Sequence, residues 1–157
     1  MTDVQARVYE RILHSEDVEL VRDWHEPCDC GRKQTRGMCC YTTGSDPERA
    51  PLYFANHPNA QQCNASGCPL CLTLPLMMKL SQCANHLELL KARKSDETHT
   101  RRNVARYAKM AFGSDVERIG GVDQSDQWIK MGDESLCGKL PCLKKILHHH
   151  NVRGDKV

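Results

Sequence analysis

The sequence predicts a mainly α-helical, small and irregular fold stabilised by two or three structural zinc ions. Three observations predict it. The 157 residues include ten Cys and eight His but only two Phe and two Trp, and the mean hydropathy is −0.60. A chain so poor in large apolar side chains and so rich in soft ligands is expected to use metal where others use buried area. The Cys fall into C-x-C, CC, C-x4-C-x2-C and C-x4-C groups with His nearby, which is ligand spacing. Between these groups apolar residues recur at helical intervals.

An even Cys count also fits a disulfide framework. The expectation here is otherwise. The N-terminus holds no apolar signal segment, the Cys are spaced as ligands, and eight His have no place in a disulfide scaffold. The chain is therefore expected in a reducing compartment, cytoplasm or nucleus. No run reaches the roughly 20 apolar residues of a membrane span. The net charge of +2 is that of no polycation, so any nucleic-acid surface must be local.

The organisation expected is an N-terminal helical segment over 1–24, a zinc-binding helical domain over 25–150 and a flexible tail over 151–157. Thr2-Asp3-Val4-Gln5 fits a capping box. Val4, Val8 and Ile12 follow as an apolar stripe. Ser15-Glu16-Asp17 reads as a second helix start, with Val18, Val21 and Trp24 continuing the face. This segment covers the metal core or serves as a dimer or partner contact.

The first ligand group is His25, Cys28, Cys30 and the Cys39-Cys40 pair. Adjacent Cys seldom bind one ion together, so one of Cys39 and Cys40 is spare, and the spacing does not say which. Between them lies a basic loop carrying Arg32, Lys33 and Arg36. Residues 41–51 read as a turn-rich linker, and Leu52-Tyr53-Phe54 as a strand or one helical turn.

The second group is His57, Cys63, Cys68 and Cys71. Gly67 and Pro69 beside Cys68 favour a tight C-x2-C knuckle. Leu74 to Leu90 reads as a helix with Pro75 in its first turn, and Cys83 and His86, three apart, would share one of its faces. The third group joins these two with Cys137 and Cys142, which open the last helix; His148 is a local alternative. From Thr100 onward Val104, Ala108 and Ala111 share one helical face, with Arg102, Arg106 and Lys109 opposite and Arg101 nearby. A basic helical face can track phosphates. Trp128 and Ile129 form a small apolar anchor.

His57, Cys63, Cys68 and Cys71, with the Cys-Pro-Leu-Cys-Leu ending, resemble a TAZ-type HCCC zinc finger of transcriptional coactivators. Cys137-Gly-Lys-Leu-Pro-Cys142 resembles the second pattern of that family. The resemblance covers roughly a third of the chain. It implies a helical fold around several zinc ions and a protein-binding role in transcription. The His57 to Cys63 spacing exceeds the family's, Cys83 and His86 come in reversed order, and a long insertion precedes Cys137. In composition the chain is also similar to the small cysteine-rich regulatory proteins of viruses, many of which bind RNA, suppress host silencing or capture host factors.

Neither H-E-x-x-H nor H-x-E with P-C-x-x-C occurs, so no catalytic zinc signature is present. Cys83-Ala-Asn-His86-Leu87, Asn103 and Arg36-Gly37-Met38-Cys39 resemble parts of an HNH-type nuclease, in the wrong order and spacing. The function expected is therefore non-catalytic. It is a zinc-binding regulator that binds RNA or other nucleic acid, protein partners, or both, through Arg32, Lys33, Arg36, Arg101, Arg102, Arg106 and Lys109. Apolar surface near Leu76, Met77 and Met78 would serve a protein partner. Without metal the chain is expected to unfold, because its ligands join segments with little else to bury together.

Overall fold

A computed structural model describes residues 1–39, 46, 48–56, 70–124 and 130–155. The architecture is mainly helical. Among the described residues the only extended pairings are two isolated bridges, Pro27 with Thr35 and Ala92 with Asp123. No described helix is long and apolar enough to cross a membrane.

Helix α1 spans Asp3–Leu13 and opens with the capping box its sequence spells. The Gln5 N–H donates to Thr2 Oγ1 at 3.2 Å, and the Thr2 N–H donates to Gln5 Oε1 at 3.0 Å. Val4, Val8 and Ile12 are buried, so the stripe faces the chain's own core. Gln5 lies in the same row and is fully buried. Its Nε2 donates to the Cys83 carbonyl at 2.9 Å, and its Oε1 also accepts the Gly138 N–H at 2.8 Å. One buried amide thus ties three distant segments together with its polar atoms satisfied.

Helix α2, Glu16–Arg22, follows after Ser15 and buries Leu20. From it the buried Asp17 carboxylate accepts the N–H groups of Leu52 and Tyr53 at 3.0 and 2.9 Å. Those donors belong to α3, Pro51–Asn56. The helical alternative for Leu52-Tyr53-Phe54 therefore holds, and its free N-terminal donors are met from another helix. Burial pushes the Asp17 carboxyl up to about 6, against the opposing pull of the two N–H groups.

Helix α4 spans Leu70–Asn85 and begins four residues before the expected Leu74. Pro75 consequently lies inside it and not in its first turn. The helix also stops short of the expected Leu90. His86 turns extended, with φ −161° and ψ 132°, and its Nδ1 accepts the Glu88 N–H at 3.1 Å, starting the 3₁₀ turn Leu87–Leu90. Beyond it Glu88 and Lys91 form a fully buried ion pair, and Lys91 Nζ donates to the Ile119 carbonyl at 2.8 Å.

Helix α5, Thr98–Phe112, buries Tyr107, Ala108, Ala111 and Phe112, on the face expected for Ala108 and Ala111. A 3₁₀ turn at Gly113–Asp115 leads into α6, Val116–Ile119, which Gly120 ends at φ +86°. Asp115 takes Arg7 at 2.7 Å and Arg11 at 2.6 Å from α1. The last helix, α7, is Lys139–Val152 and buries none of its residues.

Helices α4 and α5 each pack on α1 and on α3, and α2 packs on α3 and α4. Their shared core runs from Val4, Val8 and Ile12 through Leu72, Leu76, Leu87 and Leu90 to Tyr107 and Phe112. The expectation that these segments have little to bury together is corrected here. Leu, Val and Ala at helical spacing supply the core that the scarcity of Phe and Trp seemed to deny. The 1–24 segment packs into this same core. The linker at 41–51 is described only in part, and Trp128 and Ile129 lie outside the described residues.

Candidate metal centre

After α2 the chain turns back on itself in a small hairpin. The Cys28 N–H donates to the Gln34 carbonyl at 3.0 Å and the Arg36 N–H to the Glu26 carbonyl at 2.8 Å. Gly31, with φ +77°, sits at the bend, a conformation glycine adopts without steric cost. The returning strand enters a 3₁₀ turn, Arg36–Met38, that delivers Cys39. Its anchor to the core is Gly37. The Gly37 N–H donates to the Trp24 carbonyl at 3.1 Å, and a Cβ at Gly37 would come within 2.3 Å of the Trp24 ring. Only glycine lets the backbone lie flat on that buried indole.

This folding brings three sulfurs together. Cys28 Sγ and Cys30 Sγ are 3.2 Å apart, and Cys30 Sγ and Cys39 Sγ are 3.2 Å apart. All three lie within 4.8 Å of one another. Tetrahedral thiolates about 2.3 Å from a shared zinc would be roughly 3.8 Å apart, so the two 3.2 Å separations lie inside that value and the sulfurs are close enough to share one ion. The cluster runs from exposed Cys30 through half-buried Cys28 to buried Cys39. It could hold a metal ion, which would draw two ligands from the outgoing arm of the hairpin and one from the end of the turn packed on Trp24.

Of the other first-group residues, His25 is exposed and contributes no nitrogen to the three-sulfur group; Cys40 lies outside the described residues. His57, Cys63 and Cys68 also lie outside them. Cys71 is described only as part of the α4 backbone, in its first turn.

The third group is not gathered. No three of Cys83, His86, Cys137, Cys142 and His148 come within 4.8 Å of one another. The shared helical face assumed for Cys83 and His86 does not exist, because the helix ends between them. Cys83 is fully buried with its thiol toward the Gln5 carbonyl at 3.7 Å, and burial pushes that thiol up to about 12. The His86 Nδ1 is engaged in capping, and desolvation holds its imidazole below the usual value. The Cys137 thiol donates to the Asn85 carbonyl at 2.9 Å. Cys142 and His148 are exposed on α7.

The seven expected phosphate-contacting residues divide. Arg36 is paired with Asp29 at 2.7 Å, Arg101 with Asp123 at 2.9 Å and Arg106 with Glu48 at 3.3 Å. Arg32, Lys33, Arg102 and Lys109 are exposed, and no described residue forms an ion pair with them. The basic face of α5 is therefore half neutralised. The tip of the hairpin is not. A cavity of about 470 Å³ opens beside it, lined also by Gln34 and Thr35. Neither residue stood out in the sequence. The available signal was Gly31 directly after C-x-C, which marks a bend followed by a returning strand.

No family model matches the chain, and no solved structure matches it. Curated proteins similar to it over all 157 residues include two. Switch 2 of Arabidopsis thaliana is 31% identical, and the chain covers 18% of its length. The DNA excision repair protein ERCC-6-like 2 of Mus musculus is 28% identical, and the chain covers 9% of it. The chain thus spans less than a fifth of the length of these curated relatives.

Proposed function

We propose that this chain is a non-catalytic, zinc-held helical module that binds nucleic acid, DNA foremost, in a protein with a role in DNA repair. The observation that carries the reading is the Cys28–Cys30–Cys39 cluster in a hairpin whose tip displays Arg32 and Lys33, which have no ion-pair partner among the described residues. Three soft thiolates favour zinc over hard cations. A second zinc on His57, Cys63, Cys68 and Cys71 belongs to the same proposal. The word repair comes from the name of the mouse relative. It moves the preference from RNA to DNA, since neither relative's name speaks of RNA, a virus or silencing.

A non-catalytic role is supported by how the nuclease-like residues are used. His86 is 6% exposed and caps a turn, and Asn103 lies beside the exposed His99 of its own helix. Neither is placed to hold a metal before a substrate.

The test is metal analysis of the reduced, purified chain together with binding to labelled duplex DNA, single-stranded DNA and RNA at matched salt. One or two zinc per chain, with duplex DNA bound best and affinity falling steeply with salt, is the expected result. Absence of metal, or of any nucleic-acid binding at low salt, would overturn the reading.

A second reading rests on a separate observation. Leu74, Met77 and Met78 stand at i, i+3 and i+4 on α4 and are 65%, 61% and 59% exposed. A methionine-rich apolar face of this kind suits an amphipathic helix of a partner protein. Met77→Glu with Met78→Glu would abolish such an association while leaving DNA binding intact.

A further inference from the structure

We propose that the hairpin between Cys28 and Cys39 is a phosphate site for the nucleic-acid backbone, and that metal on the three cysteines controls its affinity. This rests on the nucleic-acid reading above and names the place where the contact is made.

The cavity beside the hairpin is walled by His25, Cys28, Gly31, Arg32, Lys33 and Gln34. One wall residue is thus a candidate metal ligand, and two are cations without an ion-pair partner among the described residues. The carboxylates that would compete for them are partly occupied. Asp29 is held by Arg36 at 2.7 Å, and Asp23 lies 3.8 Å from the same guanidinium. A guanidinium fork next to an ammonium is the combination that grips a phosphate oxygen pair with a supporting point charge. Gly31 contributes no side chain at the bend, and nothing lies within 4 Å of where its Cβ would stand. A polymer backbone therefore meets no obstacle across the tip.

Charge alone does not link the metal to this site. A zinc ion with three thiolates carries one net negative charge, which works against an anion. The link is geometric. Cys30 lies two residues before Arg32, and Cys28 lines the cavity itself. Unligated, the hairpin is closed by a few backbone hydrogen bonds, and its tip must be ordered whenever a phosphate arrives. Ligation of Cys28 and Cys30 against Cys39 orders it beforehand, so less binding energy is lost to ordering.

The experiment uses the 157-residue chain and a short labelled DNA duplex, read by anisotropy across a salt series. Four samples are compared, each with and without zinc: the unmodified chain, Arg32→Ala/Lys33→Ala, Cys30→Ser and the triple combination. With zinc, the Arg32/Lys33 variant is expected to bind at least about tenfold more weakly. Its slope of log affinity against log salt should shrink by about two, one per lost phosphate contact. Its zinc content and helical signal should be unchanged. Chelation, or Cys30→Ser, should weaken the unmodified chain to a similar degree and have little further effect once Arg32 and Lys33 are gone.

If the Arg32/Lys33 variant binds DNA as tightly as the unmodified chain, the site is wrong and the nucleic-acid reading stands. If no sample binds DNA at low salt, that reading has failed as well. Zinc-independent DNA binding that still requires Arg32 and Lys33 would overturn the metal control. Inorganic phosphate supplies the remaining arm. Millimolar phosphate bound at these residues by a protein that ignores DNA would identify a free-anion site and overturn the assignment to a nucleic-acid backbone.

Discussion

The helical core and the cysteine hairpin are built on opposite principles. In the core, α1, α4 and α5 bury side chains from all three helices, including Val8, Ile12, Leu72, Ala108 and Phe112, each at 0% exposure. One of its polar members, Gln5, is satisfied at long range. The hairpin buries little beyond Cys39 and Gly37, and its local backbone bonds close a bend and little more. One region is stabilised by area removed from water. The other brings together three sulfurs that could hold a common ion. The two meet where Gly37 lies on Trp24. The difference teaches that a high Cys count and an apolar core can sit side by side: among the described residues the three-sulfur group lies outside the buried cluster that joins the helices.

The largest effect expected is on the core side. Phe112→Ala removes a fully buried ring from the helix interface and should cost about 3–5 kcal/mol, read as a fall in the denaturant midpoint. Zinc bound by whatever fraction remains folded should be unchanged. A loss below about 1 kcal/mol would mean that α5 is not integral to the core.

Next comes pH, which acts through Asp17. Its folded value, about 6, lies above the ordinary carboxylate value of 3.8. Between those values the folded state binds more protons than the unfolded one, so this group makes stability fall as pH rises from about 4 to 6 and level off above. The full effect is at most about 3 kcal/mol. Asp17→Asn keeps an oxygen for one N–H of α3 and has nothing to ionise, so it should flatten this part of the profile. Other groups titrate in the same range, so the informative quantity is the difference between the two proteins from pH 4 to 7. If that difference does not change with pH, the buried carboxylate is ionised at little cost. Asp115 runs the other way: Arg7 and Arg11 hold it down at about 2, so its contribution is retained above pH 4 and is lost only in stronger acid.

These two cases show where the sequence was legible. The stripe at Val4, Val8 and Ile12 and the Thr2–Gln5 box are local, and local spacing fixes them. So is the hairpin cluster, since Cys28, Cys30 and Cys39 lie within twelve positions and a bend at Gly31 suffices to join them. The misses are long-range. Gln5 reads as a helix-capping residue, and its bonds to Cys83 and Gly138 depend on how three segments assemble. Asp17 reads as part of a helix start, and its bonds to Leu52 and Tyr53 depend on α3 docking on it. The pairing of Cys83 with His86 assumed an unbroken helix. A histidine that can accept its own following N–H ended that helix early.

A smaller effect is expected at the joint. Gly37→Ala drives a methyl into the Trp24 ring, and either the indole or the turn must shift. Overpacking of this kind costs about 1–3 kcal/mol. Part of the strain should appear as weaker metal binding, because Cys39 follows the turn that must move. Trp24 fluorescence, followed during a zinc titration, reports both. Unchanged zinc affinity would mean that the hairpin absorbs the shift without moving its sulfurs.

The smallest effect expected is the one that separates the two regions most directly. Chelation should release the hairpin and leave the far-UV helical signal and the cooperative unfolding of α1, α4 and α5 almost untouched. The reasoning is that local opening is set by what each segment itself buries, and the hairpin contributes no large apolar side chain to the shared core; Trp24, which it covers, is rooted just after α2. Loss of the hairpin uncovers one face of that indole and nothing deeper. Hydrogen exchange should therefore accelerate at Cys28, Gln34 and Arg36 and remain slow at Ile12 and Ala108. If the helices melted together with the metal, the core would have to be marginal by itself, and the contact between Gly37 and Trp24 would be the route by which ligation sustains it.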